Sequence, residues 1–260
     1  MLGQLTEIWR YRFFWFSLVK MDLMTRYRKS VLGIGWSLVY PLAMTAVLVL
    51  VFSTIMNIND WRKYAQNTLA GMTMWEFLKN CMAQGCTALT RSEAYIRQAP
   101  LPYAIYPLRT VLGNAFHFLM SLLVLLFLVM ILNPIGLTTN ALMIIPTVLI
   151  AVVFAWGLAT LTAFATAFFH DITHMVEVSA QMLFFLTPII YVKENMPPHI
   201  VWFADINPFA LFIELLRNSL VDGVVPEMWL YQKTVIFTIA TFGLAVGMIA
   251  WLQKKVIFHL

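Results

Sequence analysis

Charge is what this sequence has least of. Only 11% of its 260 residues are Asp, Glu, Lys or Arg, against about a quarter in an ordinary soluble domain. With 61% of the chain hydrophobic, so few charges cannot cover the surface of a soluble fold. Cysteine is scarce as well. Cys81 and Cys86 both fall in a hydrophobic segment, so there is no disulfide framework and both read as small packing residues. No glycine-rich loop ends in Lys-Ser or Lys-Thr, which excludes a self-contained cradle for ATP. No aspartate-rich cluster offers itself to magnesium and pyrophosphate, and no HExxH frames a zinc ion. His170 and His174 of HDITH stand four residues apart with Asp171 and Glu177 nearby, but they sit in a short link. Hydrogen bonding at a helix end is their expected role, and neither a metal site nor a catalytic centre is expected in the chain. Repeats, low-complexity tracts and linker composition are also missing, so residues 1–260 read as one domain, with an arm at 1–30 and a bundle at 31–260.

What is present is long apolar runs. Crossing about 30 Å of hydrocarbon takes about 20 apolar residues at helical rise. Six segments reach that length, at residues 31–56, 67–89, 106–132, 141–168, 174–191 and 233–252. The expected fold is therefore an all-α polytopic membrane protein with six transmembrane helices. A barrel would need short alternating segments instead. The first run begins only after Ser30 and is too long for the apolar part of a cleaved signal, which is about 7–15 residues. Glu76 and Lys79 interrupt the second run three residues apart, where they can pair on one face, near the outer interface or against neighbouring helices. His117 stands alone in the third run and is expected to pack against a neighbour.

Six spans put both termini on one side. Arg10, Arg12, Lys20, Arg26, Arg28 and Lys29 gather there, with Arg91, Arg97, Arg109, Lys254 and Lys255. The other side receives Arg62, Lys63, Lys193, Arg217 and Lys233, so the basic excess places both termini in the cytoplasm. The net charge of +5 then serves topology and anionic lipid and calls for no nucleic acid. Before the first span, Leu5, Trp9, Phe13, Phe16, Leu23 and Tyr27 fall in one helical stripe over residues 5–27. A basic, aromatic helix of this kind lies in the membrane interface, with Trp9, Arg10, Arg12, Arg26 and Arg28 as anchors. Pro41, inside the first span, frees a backbone carbonyl one turn earlier and marks a hinge, while the LGIG glycines allow another helix to approach. Ionisable groups at mid-membrane, which a proton- or ion-coupled carrier needs, are almost absent.

Several stretches carry a resemblance: RYRKSVLGIGWSLVYPL, AGMTMWEFL, EAYIRQAPLPYAIYPLR, HDITHMVEVSAQ and NPFALFIELLRNSL, in this order over essentially the whole chain. The sequence resembles the permease subunit of type-2 ATP-binding-cassette exporters, in the branch exporting lipid-linked polysaccharides such as O antigens, capsules and teichoic acids. It departs from the common form at Gln98, where a basic residue often follows Arg97. The resemblance implies a half-transporter in the bacterial inner membrane: two copies form the pathway, and two separate nucleotide-binding subunits supply ATP, magnesium and hydrolysis. It implies that Glu93, Ala94, Tyr95, Ile96, Arg97 and Gln98 form a coupling helix between spans two and three that docks on the ATPase. Pro100, Pro102 and Pro107 stiffen that connection. The stretch between spans five and six would form re-entrant external helices. The implied lining, from the first and fifth spans, makes Trp36, Tyr40, Phe184, Phe185 and Tyr191 the candidates for a continuous aromatic channel. Rings stack on the C–H faces of sugars, and weak repeated sites let a polymer move. The sequence leaves two alternatives open: a related permease for a drug or small lipid, and a membrane-embedded transferase acting on polyprenyl lipids.

Overall fold

The computed structural model describes residues 2–28, 33–55, 58–98, 101–133, 139–193 and 196–259. Lys29, Pro100, Met56 and residues 134–138 of the NPIGLT turn lie outside the described residues, as do the side chains of Leu5 and Tyr27. Among the described residues there is no strand. The arm folds as α1 (Leu2–Arg10) and α2 (Arg12–Tyr27). A single helix over 5–27 was the expectation. Instead Tyr11 leaves the helical region at ψ 19°, and the arm bends there. The arm has two apolar sides. Ile8, Leu18 and Val19 are buried on the bundle, while Trp9, Phe13 and Phe16 of the expected stripe face outward. Arg12 stacks its guanidinium over Trp9 and Phe13, and the Asp22 carboxylate accepts Arg109 Nε at 2.6 Å, which ties the arm to the bundle.

A turn at Gly33–Gly35 leads into α3 (Trp36–Ile55). Gly33 has φ +51°, a conformation that side chains other than glycine's disfavour. Then follow α4 (Trp61–Gly85), α5 (Glu93–Gln98), α6 (Ile105–Leu132) and α7 (Ile144–Phe168). The chain continues through α8 (Ile172–Leu186), α9 (Val201–Ile206), α10 (Pro208–Leu220) and α11 (Met228–Leu252). Four of these are long and apolar enough to cross a membrane: α3, α6, α7 with its leading turn, and α11. The chain is a multi-pass membrane protein.

The expected second and fifth spans differ from these four for separate physical reasons. Helix α4 is long enough but polar. Asp60 caps its start, accepting from the backbone N–H of Arg62 and Lys63 at 3.1 Å. It packs against α3, α6, α7 and α10, and its residues from Tyr64 to Trp75 are all buried. A helix enclosed by protein need not be apolar all round, because it does not meet lipid. Cys81 and Cys86 are buried, free thiols on and just after it.

Helix α8 stops at Leu186, five residues before the expected edge of the fifth span. Pro188 disfavours helical geometry in the residue before it, and Thr187 is extended at φ −90°, ψ 136°. The chain then passes to α9 and α10. Asn207 caps α10 by accepting from Phe209 N at 3.0 Å, and Pro208 occupies the first turn. Asn207 Nδ2 also donates to the buried Thr187 Oγ at 2.8 Å, joining the end of α8 to the start of α10.

Candidate functional site: a polar groove between the first helices of the bundle

Non-helical backbone beside apolar helices must find its hydrogen bonds in protein. In the stretch after α8, Arg217 of α10 supplies them. It is 7% exposed, and it donates to Pro188 O at 2.8 Å, Ile189 O at 2.7 Å and Tyr191 O at 3.3 Å. Its Nε donates to Asn67 O of α4 at 3.1 Å. Gly71 makes room, since a Cβ there would lie 2.7 Å from Ile189 O and 2.9 Å from Arg217 Nη2.

A concentration of polar side chains among apolar helices lies elsewhere, in a groove of about 340 Å³ between α3, α4 and α6. From α4 come Thr73, Glu76, Asn80 and Gln84, and from α6 come Asn114, His117 and Ser121. Each set is spaced three or four residues apart, so each is one helix stripe. Lys79 Nζ donates to Glu76 at 2.6 Å, and Asn80 Nδ2 donates to the same carboxylate at 3.3 Å. Glu76 of this pair lines the groove, in the second half of α4.

His117 does more than pack. Arg26 Nη1 donates to its Nε2 at 2.7 Å. A guanidinium only donates, so the ring proton is on Nδ1 and goes to Ser37 Oγ, also at 2.7 Å. Arg26 Nη2 reaches Gln84 Oε1 at 3.5 Å, and Asn114 Nδ2 donates to that oxygen at 3.2 Å. One network therefore joins the arm, α3, α4 and α6.

Pro41 is built into the same wall. Lacking an N–H, it leaves Ser37 O without its helical donor, and Ser121 Oγ takes that place at 3.2 Å.

The sequence-derived candidates divide. Trp36 and Tyr40 line the groove and are about half exposed. Phe184, Phe185 and Tyr191 lie outside it, at the end of α8 and just beyond. Phe184 turns inward, edge-on to Trp75 with ring centroids 5.8 Å apart, whereas Phe185 is exposed. The Tyr191 hydroxyl donates to Phe185 O at 2.9 Å. Helix α5 covers Glu93–Gln98, with Arg97 Nε on Glu93 Oε1 at 2.8 Å. Its Ile96 is buried and Tyr95 meets Phe14 of the arm edge-on, while Ala94, Arg97 and Gln98 are exposed. Among the anchors, Trp9, Arg10 and Arg28 are exposed and Arg12 is half-buried, while Arg26 turns its guanidinium into the groove. The expected helix-end role of HDITH is not what is found: no side chain caps α8, and His174 faces Glu177 at 3.8 Å. The polar stripes were missed because each residue was weighed singly. The signal was their common spacing.

Comparison with known proteins fits this arrangement. The profile of ABC-2 type transporters matches residues 14–221, from the arm to the end of α10. The chain belongs to the ABC-2 type transporter family. Among similar proteins, an O-antigen export system permease protein RfbA of Klebsiella pneumoniae is 25% identical over 228 residues, 85% of this chain and 86% of its own length. A second protein of that name and organism is 25% identical over 235 residues, 88% of each chain. One from Myxococcus xanthus is 27% identical over 191 residues, 74% of this chain and 73% of its own. Within this ABC-2 chain, the Glu76–Lys79 pair gives a sharp test. Lys79→Met leaves a carboxylate among apolar helices and is expected to reduce transport at least about tenfold. Glu76→Gln combined with Lys79→Met should recover part of that loss, read as transport per folded protein. A double variant no better than Lys79→Met would show that the charges act separately.

Proposed function

We propose that the chain is the permease subunit of an ATP-driven exporter that moves a lipid-linked polysaccharide, an O antigen, across the bacterial inner membrane. The observation that carries this reading is the polar groove edged by Trp36 and Tyr40 inside an otherwise apolar bundle. Rings and hydroxyl-bonding groups side by side suit a sugar chain better than a drug or small lipid. The relatives named for O-antigen export are aligned over most of their length.

On this reading the membrane is crossed six times, with both termini cytoplasmic. Helix α4 is the second crossing. Helix α8, about 22 Å long at helical rise, needs the extended residues after it to complete the fifth. The short α9 and the buried α10 are the re-entrant external helices. Two copies enclose the channel. Two ATPase subunits, carrying ATP and magnesium, dock on the exposed Ala94, Arg97 and Gln98 of α5 and on the arm. The chain itself performs transport and no catalysis.

Deleting the gene should leave finished glycan on the inner face of the membrane, and the intact gene should restore surface display. Glycan displayed normally without it would overturn the reading. Pro41 is the proposed hinge. Pro41→Ala restores an N–H to Ser37 O and releases Ser121, stiffening α3. Export should fall several-fold while the amount of assembled complex in detergent stays the same. Unchanged export would remove the hinge but not the transport function.

A further inference from the structure

Two cavities of about 400 Å³ each adjoin at the end of the bundle that carries α10. Asp60, Lys63 and Asp222 belong to both walls, and the ion pair of Lys63 Nζ with Asp222 at 2.9 Å borders both. Charge is balanced in each. One has Asp60, Glu214 and Asp222 against Lys63, Lys193 and Arg217, and the other has Asp60 and Asp222 against Arg62 and Lys63. Most of these charges already serve the fold: Asp60 caps α4, Lys193 pairs with Asp205, and Arg217 holds backbone carbonyls. What remains is carboxamides. Asn67 of α4 and Asn218 of α10 line the first cavity, and Gln66 of α4 and Asn133 after α6 line the second. None of these four side-chain amides has a hydrogen-bond partner among the described residues. Asn67 is 7% exposed and Gln66 2%, yet their amides keep accessible surface, whereas the hydroxyls of Tyr64 and Thr68 on the same helix are sealed. A polar group withdrawn from bulk water and given no protein partner is unfavourable. Here two are adjacent in the chain, each bordering a cavity.

We infer that the two cavities form a saccharide-binding cleft on the outer face, in which the amides of Asn67, Asn218, Gln66 and Asn133 meet the sugar. An amide carries an acceptor and two donors in one plane, and a hydroxyl is itself donor and acceptor, so each amide can engage adjacent hydroxyls. Walls without net charge select against an anion, and walls so polar select against a drug or a lipid tail. Each cavity, at about 400 Å³, falls within the usual range of small-ligand sites, roughly 300–1,000 Å³. Two in a row suit successive units of a chain. The ligand class rests on the export reading proposed above. The cleft itself is separate from the groove at Trp36 and Tyr40, with no lining residue in common.

The test uses the full chain in nanodiscs, with glucose, mannose, rhamnose, N-acetylglucosamine and maltose as probes and saturation-transfer NMR as the readout. At least one probe should bind, and Asn67→Leu and Asn218→Leu should each weaken it about fivefold, the loss of one hydrogen bond. Both substitutions leave in place the backbone carbonyls that accept from Arg217 and Val224. Asn218 is only half-buried, so that variant keeps the fold even where Asn67→Leu does not. Gln232→Leu removes an exposed amide from α11 and is the control. No probe binding above empty discs, or a loss no greater than that of Gln232→Leu, overturns the inference. Binding that falls with Trp36→Ala and not with the asparagine variants belongs to the groove, and overturns it too. These outcomes are read on the isolated chain, whereas the export reading fails only on the gene deletion, so the two failures are told apart.

Discussion

Arg217→Ala is expected to abolish recovery of folded protein, or to lower its thermal midpoint in detergent by more than any other single change in α10. The side chain is buried, and it donates to the carbonyls of Asn67, Pro188, Ile189 and Tyr191. Three of those acceptors belong to the non-helical stretch that follows α8. Leaving a buried acceptor without its donor typically costs about 1–3 kcal/mol, so several together are comparable with the whole stability of many domains at about 5–15 kcal/mol. Arg217→Lys keeps the charge but offers one ammonium with three donors instead of a planar fork, and should fall between the two. Fluorescence-detected size exclusion across a heating series measures this. An Arg217→Ala protein as monodisperse and heat-resistant as the parent would show that the carbonyls find other donors.

The second large effect is steric. Gly85 ends α4 against α7, and a Cβ there would lie 2.5 Å from Thr162 Oγ1 and 2.8 Å from Ala159 Cα. The Thr162 hydroxyl is itself held by Met82 O at 3.0 Å, so it is not free to swing aside. The obstacle is backbone on one side and a fixed side chain on the other. Gly85→Val should force α4 and α7 apart at a cost of about 1–3 kcal/mol or more, with a matching fall in folded yield. Gly247 of α11 is the control, because a Cβ there meets nothing within 4 Å. Gly247→Ala should leave stability unchanged or raise it by about 0.5–1 kcal/mol, the ordinary gain of alanine over glycine within a helix. Equal behaviour of the two variants would mean that the α4–α7 contact is loose.

Two expectations failed for reasons that are local and physical. The arm bends at Tyr11 although its apolar stripe is continuous, because two faces compete. One carries Trp9, Phe13 and Phe16, and the other carries Ile8, Leu18 and Val19. A periodicity argument follows one stripe and overlooks a second. Helix α8 ends early because of Pro188, a signal that was present in the sequence but outweighed by the length of the apolar run. His117 illustrates a different gap. Alone in its segment it looked like a packing residue, and only the approach of Arg26 and Ser37, 91 and 80 positions away, makes it a bridge.

By itself the amino-acid order determined the solvent. Scarce charge and long apolar runs dictate a helical membrane protein whatever the helices later touch, because backbone in hydrocarbon must satisfy its own hydrogen bonds. The short helix over Glu93–Gln98, which the family resemblance implied, is present as well. Only the tertiary structure decided that α4 is the enclosed helix, that Ser121 completes the carbonyl freed by Pro41, and that Arg217 serves the broken end of α8. Each of these is a pairing between groups far apart in the chain. Which distant partner arrives is fixed by how whole helices pack, and local sequence carries no record of it.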